Sequence, residues 1–548
     1  MTSAGRGTLA RLLPRRSDYA ALPRSWRRDI LAGATVGVVA LPLALAFGIS
    51  SGVGATAGLI TAVVAGLVAA VFGGSHVQVS GPTGAMAVVL APIVALHGIG
   101  SVALVTVLAG IIVLTMGVTG LGRAVTFIPW PVIEGFTLGI AMVIFLQQVP
   151  AAMGESAPAG QRTLLAAWTV VAHADWRSAG PTLAVVGFVA LLMVVTPRLH
   201  RAIPESLAAV VAATVLVSAL GLHVATIGEL PSHLPTPVMP QADVRALHAL
   251  IGAALAIAAL AAIESLLSAR VAATMSPTGP YDPDRELVGQ GLASMAAGAF
   301  GGMPATGAIA RTAVNVRSGA RTRVAAIVHS LLLLGVVYLA TGPVSAIPLS
   351  ALAGVLVVTS FRMISLKTVR QVLRSTKSDA VTFVLTAVVT VCFDLIEAVE
   401  IGILFAAFFA LRVVARRSSV VREELPGPHQ PGDERIALLR LDGAMFFGAA
   451  ERISNAITGA DRPEVSVVII RMSQVGMLDA TGARTLVEIA EELEERGIVV
   501  IIKGVQPQHM NLLTNIGVID ALRHENHLID SLDDAIAHAR SHAAGVRT

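Results

Sequence analysis

Long apolar runs alternate with short polar stretches over the first three quarters of the chain. A helix needs about 20 mainly apolar residues to cross the hydrocarbon core of a membrane, and about twelve such stretches lie between Ile30 and Val414. The pattern therefore predicts a polytopic α-helical membrane protein. The clearest predicted spans are Leu31–Ile49, Ala57–Phe72, Val102–Leu121, Pro131–Val149, Leu183–Val195, Ser206–Leu220, Ala249–Leu267, Val324–Ala340, Leu349–Val358, Val381–Phe393 and Ile396–Val414.

Two apolar segments are too short for a full span and open with glycine and proline. They are Val79–Leu96, which begins VSGPTGAM, and Met303–Val316, which begins MPATGAIAR. Interrupted helices are tolerated in a membrane only where protein or a water-filled cavity satisfies the freed backbone groups. We therefore predict two half-helices.

The two half-helices resemble each other in sequence. Pro82–Ala85 reads Pro-Thr-Gly-Ala and aligns with Ala305–Ala308, which reads Ala-Thr-Gly-Ala, at an offset of 223 residues. Such an offset indicates an internal repeat, and paired interrupted segments in two halves are typical of a transporter binding site. With a further span near Glu286–Gly301, we count about fourteen membrane elements, seven in each half.

Composition and charge agree with a membrane protein. The 548 residues are 55% hydrophobic and 14% charged, and the mean hydropathy is +0.76, far above that of an ordinary soluble chain. Basic residues flank the apolar region on both sides, which predicts that both termini are cytoplasmic. These residues are Arg6, Arg11, Arg15, Arg16, Arg24, Arg27 and Arg28 ahead of the first span, and Arg412, Arg416 and Arg417 after the last.

Several other protein classes are disfavoured. A cleavable signal peptide fits poorly because many spans follow the first apolar run. No stripe of Lys and Arg with interleaved aromatic residues points to nucleic acid as a partner. Cys392 is the single cysteine, which excludes disulfides within the chain and cysteine-based metal sites.

The C-terminal part reads as a soluble α/β domain after a linker rich in Pro and Gly. We predict a cytoplasmic segment at 1–29, a transmembrane domain at 30–416, a linker at 417–433 and a small α/β domain at 434–548. Strands alternating with helices favour one sheet with helices against it. Its predicted elements are the strands Arg435–Leu441, Val465–Arg471 and Val499–Ile502 and the amphipathic helix Ala480–Glu495.

Several motifs in order resemble the SulP (sulfate permease) family of anion transporters, which includes cyanobacterial bicarbonate transporters. They are LPLALAF at Leu41–Phe47, GGSHVQVSGPTGAM at Gly73–Met86, AIESLLSA at Ala262–Ala269 and DPDRELVGQGLASMAAGAFGGMPATGAIARTAVN at Asp282–Asn315. The motif MLDATGA at Met477–Ala483 resembles the signature of a STAS domain.

The resemblance implies a seven-plus-seven inverted repeat divided into core and gate domains, usually as a homodimer. It also implies secondary active transport of a small inorganic anion across a bacterial-type plasma membrane, by an elevator-like motion of core against gate. No nucleotide-binding P-loop is present, so a primary pump is disfavoured. We expect no enzymatic activity, no cofactor other than a bound Na⁺ ion, and a regulatory partner at the STAS domain.

The half-helix pair is the candidate anion site. Helix N-termini present unpaired N–H groups and partial positive charge, so two converging N-termini can bind an anion without a full cation. The alternative is that Gly and Pro only kink packed helices. The candidate binding residues here are Gly81, Thr83, Gly84, Ala85, Thr306, Gly307 and Ala308.

Two charged residues lie in apolar surroundings, where charge is costly and usually functional. Arg311 follows Gly307 by about one turn, and the family places an anion-attracting basic residue there; snorkelling to the interface is the alternative. Glu264 lies in a predicted span with Ser268 at i+4 on the same face. It is a candidate proton acceptor, or a Na⁺ ligand together with Ser268 and Thr306. A structural ion pair between Glu264 and Arg311 is the alternative.

The first span is implied by the family to form a wall of the pocket, which adds Thr35, Pro42 and Phe47 to the candidate site. Many relatives carry a Pro-Gln-Ala-Met pattern here, and Leu43 stands in the place of the glutamine. That departure resembles the bicarbonate branch more than the sulfate branch.

Thr481 occupies the place where bacterial relatives of the STAS fold carry a phosphorylatable Ser or Thr. Phosphate at a helix start is electrostatically reasonable, but Asp479 and Thr481 serving only as helix caps is an equally good interpretation.

The sequence leaves the substrate, sulfate or bicarbonate, and the coupling ion, Na⁺ or H⁺, open. A passive anion channel, a chloride exchanger and a membrane-anchored STAS signalling protein are alternative functions.

Overall fold

The computed structural model describes residues 12–122, 129–158, 161–199, 204–240, 244–392, 418–446 and 464–545, with residues 401, 404, 405, 408 and 411. The chain divides into two compact units, Met1–Ile403 and Leu404–Thr548. In the described residues, the first unit consists of helices with their connecting loops and two short extended segments, and the second is an α/β domain.

The first unit is built from helices whose buried faces share one large apolar core. Its helices are α1 Leu22–Ser50, α2 Ala55–Phe72, α3 Gly84–His97, α4 Gly100–Val118, α5 Trp130–Met153, α6 Thr163–Ala172, α7 Trp176–Leu199, α8 Glu205–Leu220, α9 Val244–Met275, α10 Pro283–Ala299, α11 Ile309–Arg317, α12 Val324–Leu339, α13 Thr341–Ser345, α14 Leu349–Met363, α15 Leu366–Leu373 and α16 Lys377–Cys392. Its extended segments are β1 Ser80–Gly81 and β2 Thr306–Gly307.

Within the described residues, 7 helical stretches are long and apolar enough to cross a membrane. Each predicted span up to Val381–Phe393 coincides with a helix, and the span predicted near Glu286–Gly301 is α10. The predicted half-helices are α3 and α11, each preceded by extended backbone. The last predicted span, Ile396–Val414, falls largely outside the described residues. The short helices α6, α13 and α15 were not predicted, because each is too short to show a membrane-length pattern.

A buried carboxylate on α10 holds the loop that leads into α3. Glu286 accepts hydrogen bonds from the backbone N–H groups of Gly74, at 2.8 Å, and Ser75, at 3.0 Å. It also accepts one from Gln78 Nε2 at 2.8 Å. One turn further along α10, Gln290 Nε2 donates to Ser80 Oγ at 3.1 Å. The broken backbone before α3 therefore finds its partners in α10, as a membrane interior requires.

The N-terminal segment is also bonded to α10, through Arg285. Asp18 accepts two hydrogen bonds from the guanidinium group of Arg285, at 3.1 and 2.6 Å. Burial alone would raise the pKa of Asp18, but hydrogen bonds from Arg285 and from the backbone of Arg15, together with the charges of Arg323 and Arg285, lower the pKa to about 2. Helix α1 begins at Leu22, so the helix starts within the predicted N-terminal segment 1–29.

The second unit contains a five-stranded sheet in the order β3-β4-β5-β6-β7. The strand β3 pairs antiparallel with β4, and the remaining neighbours are parallel. Separate apolar clusters cover its two faces, as expected of a sheet between helical layers. The strands are β3 Ser419–Glu423, β4 Ile436–Met445, β5 Val467–Leu478, β6 Val499–Lys503 and β7 Leu528–Ile529, and the helices are α17 Ala480–Glu495, α18 Pro507–Ile516 and α19 Leu532–Gly545.

All four elements predicted for the soluble domain are present at nearly the predicted positions. The strand β3 lies inside the predicted linker 417–433, because its pairing with β4 is a tertiary contact that local composition does not reveal. The helices α18 and α19 were not predicted.

Candidate functional site

The two interrupted segments meet in the interior of the first unit. Gly81 pairs with Thr306 and Ser80 with Gly307, in antiparallel register. The pair joins segments related by the offset of 223 residues seen in the sequence. Antiparallel contact of equivalent segments is the geometry that an inverted repeat produces around its pseudo-two-fold axis. We call this pair of segments the crossing.

A helix begins immediately after each strand of the crossing. Thr83 is the N-cap of α3, and its hydroxyl accepts from Met86 N–H at 3.5 Å. Ala308 is the N-cap of α11 and provides no side-chain cap. Both helices therefore begin at the crossing, where the positive ends of their dipoles and their first-turn N–H groups lie.

Glu264 of α9 bridges the two segments. Its Oε2 atom accepts hydrogen bonds from Thr83 Oγ1 at 2.9 Å and from Thr306 Oγ1 at 2.8 Å. The two threonine hydroxyl oxygens lie 3.4 Å apart. Thr306 is fully buried, whereas Glu264 and Thr83 are half-buried. The crossing thus presents the Glu264 carboxylate and the Thr83 hydroxyl group on a side that retains some access, with the Thr306 hydroxyl buried behind them.

Arg311 places a full positive charge beside the crossing. It is 2% exposed, and its Nη2 atom donates to the carbonyl of Pro82. Its Nη1 atom has no hydrogen-bond partner, and among the described residues no carboxylate lies within 4.0 Å of its guanidinium group. The ion pair with Glu264 that the sequence left open is therefore not formed, and neither does Arg311 snorkel to an exposed position.

Ser268 does not share the contacts of Glu264. Its hydroxyl lies 3.1 Å from Thr312 Oγ1 of α11, which in turn accepts from Val79 N–H at 3.1 Å. Ser265, which the sequence analysis did not select, accepts from Gly307 N–H at 3.1 Å. Ser265 is adjacent to Glu264 in sequence, which was a signal for a place at the crossing. Tertiary packing, however, sets the rotation of α9, and this rotation decides which serine contacts the crossing.

Of the candidate residues of α1, Phe47 lies beside the crossing and Thr35 does not. A Cβ atom at Gly84 would lie 3.3 Å from Phe47 Cε1 and 2.3 Å from Ile144 Cδ1 of α5, so Phe47 and α5 flank the start of α3. Pro42 is buried within α1. Thr35 is exposed, and its hydroxyl donates to Leu31 O of its own helix, so it is not brought to the crossing.

Small residues at the crossing allow close approach of backbone and side chains. A Cβ atom at Gly81 would lie 2.8 Å from Arg311 Nη1, and one at Gly307 would lie 2.1 Å from Gln78 Nε2. Gly81 also has φ of +154°, which disfavours other residues. Ala85 and Ala308 are buried. The structure therefore gives the glycines a specific purpose beyond kinking helices.

In the soluble domain, Asp479 is the N-cap of α17, and its side chain accepts from Gly482 N–H at 2.8 Å. Thr481 is exposed in the first turn. The capping interpretation therefore holds for Asp479, and Thr481 remains a candidate for phosphorylation.

Comparison with known proteins places these features in a family. The sulfate permease family matches residues 26–386, and the STAS domain matches residues 428–535. The chain is 33% identical to YvdB of Bacillus subtilis over 519 residues, which are 93% of this chain and 97% of that protein. It is 31% identical to the bicarbonate transporter BicA of Synechocystis over 543 residues, which are 94% of this chain and 95% of that protein.

The fold resembles that of murine Solute Carrier 26 family member A9 in the inward-facing state. The TM-score is 0.85 at 18% identity, over 99% of this chain and 96% of that chain. The predicted fold class, a polytopic helical transport domain followed by an α/β STAS domain, is confirmed. The chain belongs to the sulfate permease family and is a multi-pass membrane anion transporter with a C-terminal STAS domain.

Proposed function

We propose that the protein is a secondary active transporter that binds a small inorganic anion of the sulfate or bicarbonate class at the crossing. The observation that carries this proposal is the meeting of two helix N-termini at one place, beside a buried arginine with a free N–H group. Helix N-termini bind anions through their N–H groups and dipoles, and Arg311 adds a full charge where water is largely excluded.

Burial makes Arg311 suited to attraction at a distance. The Arg311 guanidinium group donates to one carbonyl and, among the described residues, has no carboxylate within 4.0 Å, although Glu264 lies near enough to interact with its charge. Its field would therefore still reach the space before α3 and α11. Electrostatic interaction strengthens as the local dielectric falls. The anion would approach the N–H groups of both helices from the side on which Thr83 and Glu264 retain access.

Glu264 is the proposed coupling residue. Its carboxylate and the hydroxyl groups of Thr83 and Thr306 form a cluster of hard oxygen atoms. Once the threonine hydroxyl groups rotate, a Na⁺ ion can take the place of their hydrogens and bind the carboxylate and hydroxyl oxygens. Alternatively, a proton can bind the carboxylate of Glu264. Either cation also offsets the repulsion between Glu264 and an incoming anion, which couples the two binding events.

The bonding pattern supports an elevator-like movement. The crossing, α9, α10 and α11 are joined by polar contacts that are buried or partly buried, so they would move as one body. The contact of α5 with the start of α3 is apolar, through Ile144. Helix α1 would belong to the same body, because Asp29 accepts hydrogen bonds from the N–H groups of Arg321 and Thr322, just after α11. Ser50 of α1 bonds Gln147 and Gln148 of α5, at 3.1 and 3.2 Å, and these bonds would break as the body slides.

Three further features are proposed from the family resemblance. They are a homodimer, cytoplasmic positions for both termini in a plasma membrane, and regulation through the STAS domain. The experiments below distinguish the transporter from two alternative functions. These are a passive anion channel and a membrane anchor for a STAS signalling domain.

Uptake by proteoliposomes decides between transporter and channel. Labelled sulfate and labelled bicarbonate are offered separately, with a Na⁺ gradient or a pH gradient imposed in turn. We expect one anion to accumulate above its equilibrium level under one gradient. Flux that no gradient drives uphill would identify a channel, and no flux of either anion would refute the substrate class.

Glu264→Gln tests the coupling role, because it keeps the shape of the side chain and removes the charge. We expect gradient-driven accumulation to fall by more than about tenfold, equivalent to about 1.4 kcal/mol. Glu134→Gln is the matched control, since Glu134 bonds Trp130 of its own helix α5. If Glu264→Gln transports normally while deletion of Leu425–Thr548 abolishes the cellular phenotype, the signalling function is favoured instead.

Arg311→Gln tests anion attraction. Loss of the buried charge should raise KM for the anion by about tenfold or more, and Arg311→Lys should retain part of the affinity because it keeps the charge. Arg317→Gln is the control, since Arg317 is an exposed residue of the same helix. Equal KM values in Arg311→Gln and Arg317→Gln would contradict this role.

A further inference from the structure

Four histidines gather at one edge of the STAS domain, remote in sequence from the transport site. His538 and His542 lie one turn apart on α19, and His527 ends a short turn just before β7. The ring centroid of His527 lies 5.3 Å from that of His538 and 5.2 Å from that of His542. His524 is exposed, with its ring 5.5 Å from His527.

His527 is buried and makes no well-formed hydrogen bond. Its side chain is 1% exposed, and neither ring nitrogen has a partner of good geometry, although the backbone of Val500 lies close to the ring. Burial of a polar group without a good partner is unfavourable, so a ligand for this ring would stabilise it. Imidazole nitrogen without a hydrogen atom is the form of histidine that binds metal.

The nitrogens of three of these rings are spaced as metal ligands are. Ligand atoms of His527, His538 and His542 all lie within 4.8 Å of one another. The Nε2 atoms of His538 and His542 are 3.3 Å apart. In tetrahedral zinc sites the Zn–N bond of about 2.0–2.1 Å sets neighbouring nitrogens about 3.3 Å apart. The helical pair thus already has the separation that two ligands of one ion need.

We propose that His527, His538 and His542 form a binding site for a divalent transition metal of the Zn²⁺ class. Neutral imidazole is a preferred ligand of zinc, copper and nickel and a poor ligand of Mg²⁺ and Ca²⁺. The fourth position of a tetrahedral ion falls to water, since the part of the chain that the structure describes brings three ligand residues together here.

An ion pair and a partly open surface adjoin the cluster. The side chains of Arg523 and Glu494, which interact with His542, form an ion pair at 3.3 Å, so each offsets part of the other's charge. His538 and His542 are half-buried, which leaves a route for the ion. Metal binding would fasten α19 to the turn before the edge strand β7, and so stabilise the end of the domain. This inference is independent of the transport mechanism.

The test uses the full-length chain without a polyhistidine tag, purified in detergent and treated with a chelator. ZnCl2 is titrated by calorimetry, and the absorption spectrum of added Co²⁺ reports coordination geometry. We expect one Zn²⁺ per chain, tetrahedral Co²⁺ bands and no binding of Mg²⁺. His538→Gln and His542→Gln should each weaken Zn²⁺ binding by more than about tenfold, since losing even an outer-shell partner costs that much.

His429→Gln is the matched control, because the His429 side chain is 76% exposed in the same unit and lies outside the cluster. It should bind Zn²⁺ as the unmodified chain does. Gel filtration of each variant checks folding, and both target residues are half-buried, so both variants should fold. Unchanged Zn²⁺ binding in His538→Gln and His542→Gln, or no binding by the unmodified chain at micromolar Zn²⁺, would overturn the proposal. The 3.3 Å contact would then be an ordinary hydrogen bond between two imidazoles.

Discussion

The transport domain depends on one constraint: backbone that leaves a helix inside a membrane must still find hydrogen-bond partners. Each unsatisfied backbone group there costs several kcal/mol. At the crossing, Ser80–Gly81 and Thr306–Gly307 satisfy each other. Ser265 accepts from Gly307 N–H, and Gln290 holds Ser80. The helices α3 and α11 can therefore begin in the protein interior. A helix that crosses the whole membrane would instead begin at the membrane surface.

The same constraint explains the polar residues around the site. Glu264 and Arg311 do not form an ion pair; each bonds a different part of the crossing, the threonine hydroxyls in one case and the Pro82 carbonyl in the other. In the proposed function, the positive charge attracts the anion and the carboxylate binds the coupling cation. Because both groups bond to the same short segments, binding at one would alter the other, and this is the coupling that we propose.

Sequence pattern predicted the parts of the site that local chemistry determines. Glycine and proline marked both half-helices, and the offset between Thr83 and Thr306 predicted that they correspond. Ser265 was missed in favour of Ser268, because the rotation of α9 against the crossing depends on tertiary packing. Thr35 faces away for the same reason. In the STAS domain, His538 and His542 show helical spacing in sequence, but only the fold brings His527 beside them.

If an anion and a coupling cation bind at the same crossing, the affinity for one must depend on the other. Anion affinity is measured in detergent with and without Na⁺, and at two pH values, for the unmodified chain and Glu264→Gln. We expect one cation to tighten anion binding in the unmodified chain and to have no effect in Glu264→Gln. Equal anion affinity of the unmodified chain under all these conditions, or a cation effect that survives Glu264→Gln, would contradict the proposed coupling.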